Sequence, residues 1–164
     1  MSQKVILTEE GFQNLKEELD HLVNVERREV AKRIKTARDF GDISENSEYD
    51  DAKNEQAFIE GRIQEIKNML DNAEVVKEEE ISDEIVSVGN IVKIKDADSG
   101  KEYNYKIVGS AEADPLNNKI SNESPIGSAI IGHKPGDTVK VEVPSGLKTY
   151  EILLIKKEKE NKRD

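Results

Sequence analysis

The segment from Asp39 to Asp51 holds six carboxylates (Asp39, Asp42, Glu45, Glu48, Asp50 and Asp51) and no base. Asp42 and Glu45 stand three apart just after Gly41, where a helical pattern begins. One reading is a capping box: Asp42 accepts an amide of the first turn and Glu45 returns to the cap, with the helix dipole favouring both. The other is an exposed carboxylate pair that binds a divalent cation. Two carboxylates do not complete a magnesium shell, which wants six oxygens in an octahedron. On that reading the segment is half a site, and a partner carrying phosphates and further ligands supplies the rest. Residue types alone leave both readings open.

Just before this segment the charge reverses. Between Arg27 and Arg38 six residues are basic and only Glu29 is acidic. Arg28, Lys32 and Lys35 recur at helical spacing, opposite the apolar positions Val30, Ile34 and Ala37. Arg38 and Lys53 flank the acidic turn. A solvated outer face accounts for such a stripe. It also suits a surface that holds a polyanion near the acidic point.

The elements that position these groups read as two long helices. Thr8 is the expected N-cap of the first, with Glu9 and Glu10 in its first turn. Phe12, Leu15, Leu19 and Leu22 follow at coiled-coil spacing, and the seam resumes at Val30, Ile34 and Ala37. The eight residues from Leu22 to Val30 read as a stutter that locally unwinds a supercoil. After Gly41 a second seam runs through Ala52, Gln56, Ile59, Ile63, Ile66, Leu70 and Ala73. Two amphipathic helices joined by a short turn bury their stripes by lying antiparallel. The expectation is a thin stalk, with the acidic turn at its tip.

Composition agrees with an elongated, wet element. Of 164 residues 60 are charged, seven are aromatic, and the formal net charge is −10. Residues 1–80 carry 12 bases and 21 acids, net −9, and residues 81–164 carry 13 and 14, net −1. All four prolines and seven of ten glycines fall in the later part. The absence of cysteine excludes disulfides, thiolate metal sites and a thiol nucleophile. His21 and His133 are too far apart in sequence for a local metal motif. No apolar run is long enough for a membrane span or a signal peptide, so a cytoplasmic protein without membrane contact is expected.

After residue 80 the period changes. Ile91–Lys95 and Tyr103–Val108 bracket a polar, glycine-bearing turn and read as a hairpin. Thr138–Val143 alternates cleanly, Pro144-Ser-Gly146 turns the chain, and Thr149–Ile155 returns it. Ser128–Ile131 suits a single helical turn. The expected class is α+β in two domains. Residues 1–80 form an antiparallel α-helical coiled-coil hairpin with its acidic tip near 39–51. Residues 81–155 form a small domain of antiparallel β-strands, and 156–164 are a charged, disordered tail.

Ala37 to Gln56, continuing through Phe58-Ile-Glu-Gly-Arg-Ile63, resembles the GreA-type bacterial transcript cleavage factors. Their turn pattern is Gly-Asp-Leu-x-Glu-Asn-Ala-Glu-Tyr; here Ile43 replaces leucine and Ser47 replaces alanine. Leu7-Thr8-x-x-Gly11, Asn122-x-Ser124-Pro125-Ile126 and Gly132 extend the resemblance to both halves. It implies a bacterial transcription elongation factor that is not itself an enzyme. Such factors enter the secondary channel of RNA polymerase tip first. Asp42 and Glu45 then help hold the second Mg2+ of the polymerase active centre, which cleaves backtracked nascent RNA near its 3′ end. The resemblance further implies RNA or polymerase contacts by Arg38, Lys53, Asn46, Arg28, Lys32 and Lys35. It also implies an FKBP-like second domain that docks on polymerase, and no resident cofactor. We expect a monomer. A prolyl isomerase pocket is disfavoured, because Tyr103, Tyr105 and Tyr150 are the only aromatics after residue 80. An inhibitory channel binder and a coiled-coil chaperone or adaptor are the alternatives.

Overall fold

The computed structural model describes residues 4–39 and 47–157; Asp42, Glu45 and Asn46 lie outside them. The described chain divides into two units, residues 12–72 and residues 4–11 with 73–157.

In the first unit the seam predicted from sequence is the buried stripe. Helix α1 (Glu9–His21) runs through a π-helical segment (Leu22–Glu26) into α2 (Arg27–Asp39). Helix α3 (Ser47–Asp71) returns antiparallel to them, as the cross-hairpin pairs Glu18–Arg62, Arg27–Glu60 and Arg33–Glu55 show. Leu15, Leu22, Val30, Ile34 and Ala37 are buried on one arm, and Ala52, Ile59, Ile63 and Ile66 on the other. The π segment stands where a stutter is expected, and it corrects the geometry. Eight residues exceed a heptad by one. The Arg27 N–H reaches back five residues to the Leu22 carbonyl, and this widened turn absorbs the extra residue with both apolar positions kept in the seam. The second seam is shorter than its apolar pattern suggests. Helix α3 ends at Asp71, and Ala73 opens a strand.

That strand, β2 (Ala73–Val76), pairs in parallel with β1 (Val5–Thr8), in a register from Val5–Ala73 to Thr8–Val76. A five-stranded sheet carries the rest of this unit, in the order β5-β4-β3-β7-β6. The expected hairpins are there: β3 (Asn90–Asp96) with β4 (Glu102–Val108), and β6 (Thr138–Val143) with β7 (Gly146–Lys157). Strand β7 also pairs antiparallel with β3, through Lys157. The edge strand β5 (Lys119–Ser121) pairs in parallel with β4. The helical turn expected at 128–131 is α4 (Pro125–Ile130), which starts at its proline because the Ser124 hydroxyl caps it, accepting from the Gly127 N–H at 3.1 Å. Val92, Ile94, Ile107, Ile130 and Ile152 are fully buried in the core between sheet and helix. The α+β class, a helical hairpin with a small β domain, is the observed one. Among the described residues no helix is long and apolar enough to cross a membrane.

Candidate functional site at the hairpin turn

The arms are described as far as Asp39 on one side and from Ser47 on the other. The buried positions nearest the turn are Ala37 and Ala52, at 2% and 0% exposure. Larger seam residues, Val30 and Ile34 against Ile59 and Ile63, lie further back. Small side chains at the end of a seam let two helices close on one another.

Arginine–glutamate bridges on both flanks hold the register. Arg27 gives Nε to Glu60 at 2.7 Å and Nη2 to its other oxygen at 2.8 Å. Arg62 grips Glu18 in the same two-pronged way, at 2.7 and 2.8 Å, and reaches Glu65 at 2.6 Å. Arg33 bonds Glu48 at 2.9 Å and also Glu55. Forked pairing fixes direction as well as distance. The hydrogen bond from Arg62 holds the Glu18 carboxyl below its ordinary range, against the opposing effect of burial. The hydrogen bond from Arg27 does the same for Glu60.

These bridges divide the basic residues into two sets. Arg27 and Arg33 belong to the hairpin's own ion pairs. Arg28, Lys32, Lys35 and Arg38 are exposed and paired to no described acid. Lys53 is also exposed, its Nζ donating to Gln56 Oε1 at 3.2 Å, which satisfies the polar member of the second seam. Of the acids around the turn, Glu48 is engaged by Arg33, while Asp50 and Asp51 are exposed. Among the described residues no group of three or more His, Cys, Asp or Glu side chains can hold a metal ion. The arrangement is a register-locked pair of helices with cations outside it, leading to a connection that contains Asp42, Glu45 and Asn46.

Sequence reading missed the bridges, although their signal is present. Glu18, Arg27, Arg33, Glu55, Glu60 and Arg62 flank the apolar seam, where opposite charges pair across a coiled coil. It also missed Glu112. The Thr8 hydroxyl caps α1 as expected, accepting from the Gly11 N–H at 3.0 Å. The Thr8 N–H and hydroxyl in turn donate to the two oxygens of Glu112, at 2.8 and 2.5 Å. A capping box normally draws that carboxylate from the helix's own first turn. Here it comes from 104 residues away.

A helical hairpin with a charged turn, joined in one chain to a small α+β domain, defines a class of two-part factors. The chain is covered by two family models: "Transcription elongation factor, N-terminal" over residues 5–75 and "Transcription elongation factor, GreA/GreB, C-term" over residues 81–157. It is 55% identical over 155 residues to transcription elongation factor GreA of Clostridium kluyveri, covering 94% of this chain and 98% of that one. Identity to the GreA of Clostridium novyi is 59% over 155 residues, with the same coverage. Among solved structures, the GreA factor homolog 1 (Gfh1) of Thermus thermophilus is 31% identical, with 93% and 99% of the two chains covered and a TM-score of 0.44. The chain belongs to the GreA/GreB family of transcription elongation factors.

Proposed function

We propose that this chain is an accessory factor of bacterial RNA polymerase that stimulates the enzyme's own cleavage of backtracked nascent RNA. The hairpin enters the secondary channel turn first and brings Asp42 and Glu45 to the active centre. The observation that carries this reading is the pairing of a bridged, register-locked hairpin with a connection containing two carboxylates three residues apart. An accessory role follows from coordination number. Two carboxylates are part of a magnesium shell, and the remaining ligands come from the enzyme, the RNA and water. A magnesium ion so held supplies charge stabilisation and activates water for phosphoryl transfer. Arg28, Lys32, Lys35, Arg38 and Lys53 offer exposed positive charge beside the path of the RNA 3′ end, and Asn46 adds an amide next to Glu45. The chain supplies ligands and position while the catalyst is the polymerase. It acts in the cytoplasm as a monomer, its β unit docking on the enzyme's outer surface.

Asp42→Asn tests the reading. Asparagine caps a helix about as well as aspartate but lacks the charge a divalent ion needs. Added to stalled, backtracked elongation complexes, the variant should bind polymerase as the parent chain does and lose most stimulated cleavage. Raising magnesium should restore part of it by mass action. Normal cleavage by a folded, bound variant would leave the capping box as the whole role of the pair.

A further inference from the structure

The hairpin explains four residues of Phe58-Ile-Glu-Gly-Arg-Ile63. Ile59 and Ile63 are buried in the seam, Glu60 holds Arg27, and Arg62 holds Glu18. Phe58 and Gly61 are left over. Phe58 is 73% exposed, the largest exposed apolar side chain among the described residues. Among the described residues a Cβ on Gly61 would meet nothing within 4 Å, so no described contact asks for glycine at a position where alanine is the better helix former.

The two residues neighbour each other on the face of α3 opposite the seam, and uncharged side chains continue it. Asn54 and Ala57 lie towards the turn, Gln64 and Asn68 away from it, and all six are exposed. Glu65 is the one charged residue on this stripe between 54 and 68, and Arg62 engages it at 2.6 Å. The outer face of α2 carries Arg28, Lys32 and Lys35 instead. In a chain with 37% charged residues, a solvated helix face should look like α2.

We propose that this face of α3, centred on Phe58 and Gly61, is a second contact surface for RNA polymerase, distinct from the acidic turn. Phe58 fills an apolar pocket of the enzyme, and Gly61 lets an uncharged segment of it lie against the helix backbone. The inference rests on the reading above that the hairpin enters the polymerase. Continuity selects the occupant: Phe58 is eleven residues from Ser47, about 16 Å along the axis at 1.5 Å per residue. A channel that takes the turn to its active centre encloses this stretch of α3. The chemistry agrees, because an uncharged stripe leaves no ion stripped of water without a partner.

The test uses the full-length chain with Phe58→Ser, Gly61→Ala and Gly61→Gln. Melting temperature, affinity for core polymerase and sedimentation are measured for each. Both Gly61 variants should melt higher than the parent chain and bind polymerase more weakly, the glutamine more so. Phe58→Ser should melt with the parent chain and bind about tenfold more weakly or worse, with cleavage recovered at saturating protein. A face that is merely solvated predicts better helices and unchanged binding, and that result overturns the proposal. A parent chain that sediments as a dimer, with the variants as monomers, overturns it too, because the face then joins two copies. Failure of the underlying reading looks different: the parent chain itself would not stimulate cleavage, whatever the variants bind.

Discussion

Replacing Gly11 by alanine puts a methyl group where another side chain already sits. The new carbon would lie 2.1 Å from Glu112 Cδ and 2.2 Å from its Oε1. The carboxylate must leave, and with it go the two bonds from Thr8. Hydrogen bonds to a charged group contribute about 1.5–3 kcal/mol each. Thr8 is buried and Glu112 only half-buried, so water partly replaces the lost partners and about 2–3 kcal/mol is a fair total. Alanine returns up to about 1 kcal/mol as a better helix former. Gly11→Ala should therefore destabilise the unit by about 1–2 kcal/mol. In a Glu112→Ala background the clash is gone, and the same substitution should stabilise by up to about 1 kcal/mol. The sign reverses, and the coupling between the sites is about 2–3 kcal/mol. Amide exchange at Thr8 and Gly11 across the four chains reads the local free energy, with urea midpoints alongside. If Gly11→Ala has the same sign and size in both backgrounds, Glu112 does not hold the start of α1.

Acid should loosen the hairpin. Glu18 and Glu60 are held below the ordinary glutamate value of 4.5 by their arginine partners, so their stabilisation is complete above that pH. It is lost as pH falls through the lower folded values. Helicity at 222 nm should drop below pH 4.5, less steeply in Arg62→Met, and a flat wild-type curve there counts against the bridges. Deleting Asn24 shortens the Leu22–Val30 spacing from eight residues to seven and removes the need for a π turn. That chain should melt higher and protect the amides of residues 22–27 more strongly; a lower melting point would mean that the segment does more than absorb one residue.

Much of the hairpin was legible in the sequence because its determinants are local and periodic. Apolar residues every three or four positions place Leu15, Leu22, Val30, Ile34, Ile59, Ile63 and Ile66 on one stripe whatever the rest of the chain does. Thr8 before two acids marks a helix start, and alternation with turn residues marks β3, β4, β6 and β7, because caps and pleats depend on near neighbours. Asp42 and Glu45 are three residues apart by sequence alone, and both lie outside the described residues. Periodicity does not say with whom an element pairs. The parallel match of Val5–Thr8 with Ala73–Val76 and the parallel seat of β5 join residues whose local patterns do not mention each other. The same is true of Glu112 on Thr8, and of Arg27 and Arg33 turned from a basic stripe into bridges. The count from Leu22 to Val30 announced a defect, but whether a supercoil unwinds or one turn widens depends on how both arms pack. Phe58 and Gly61 show the same limit. Their neighbours settle into seam and bridges, and only the folded hairpin reveals that Phe58 is left exposed and that a Cβ on Gly61 would meet none of the described residues.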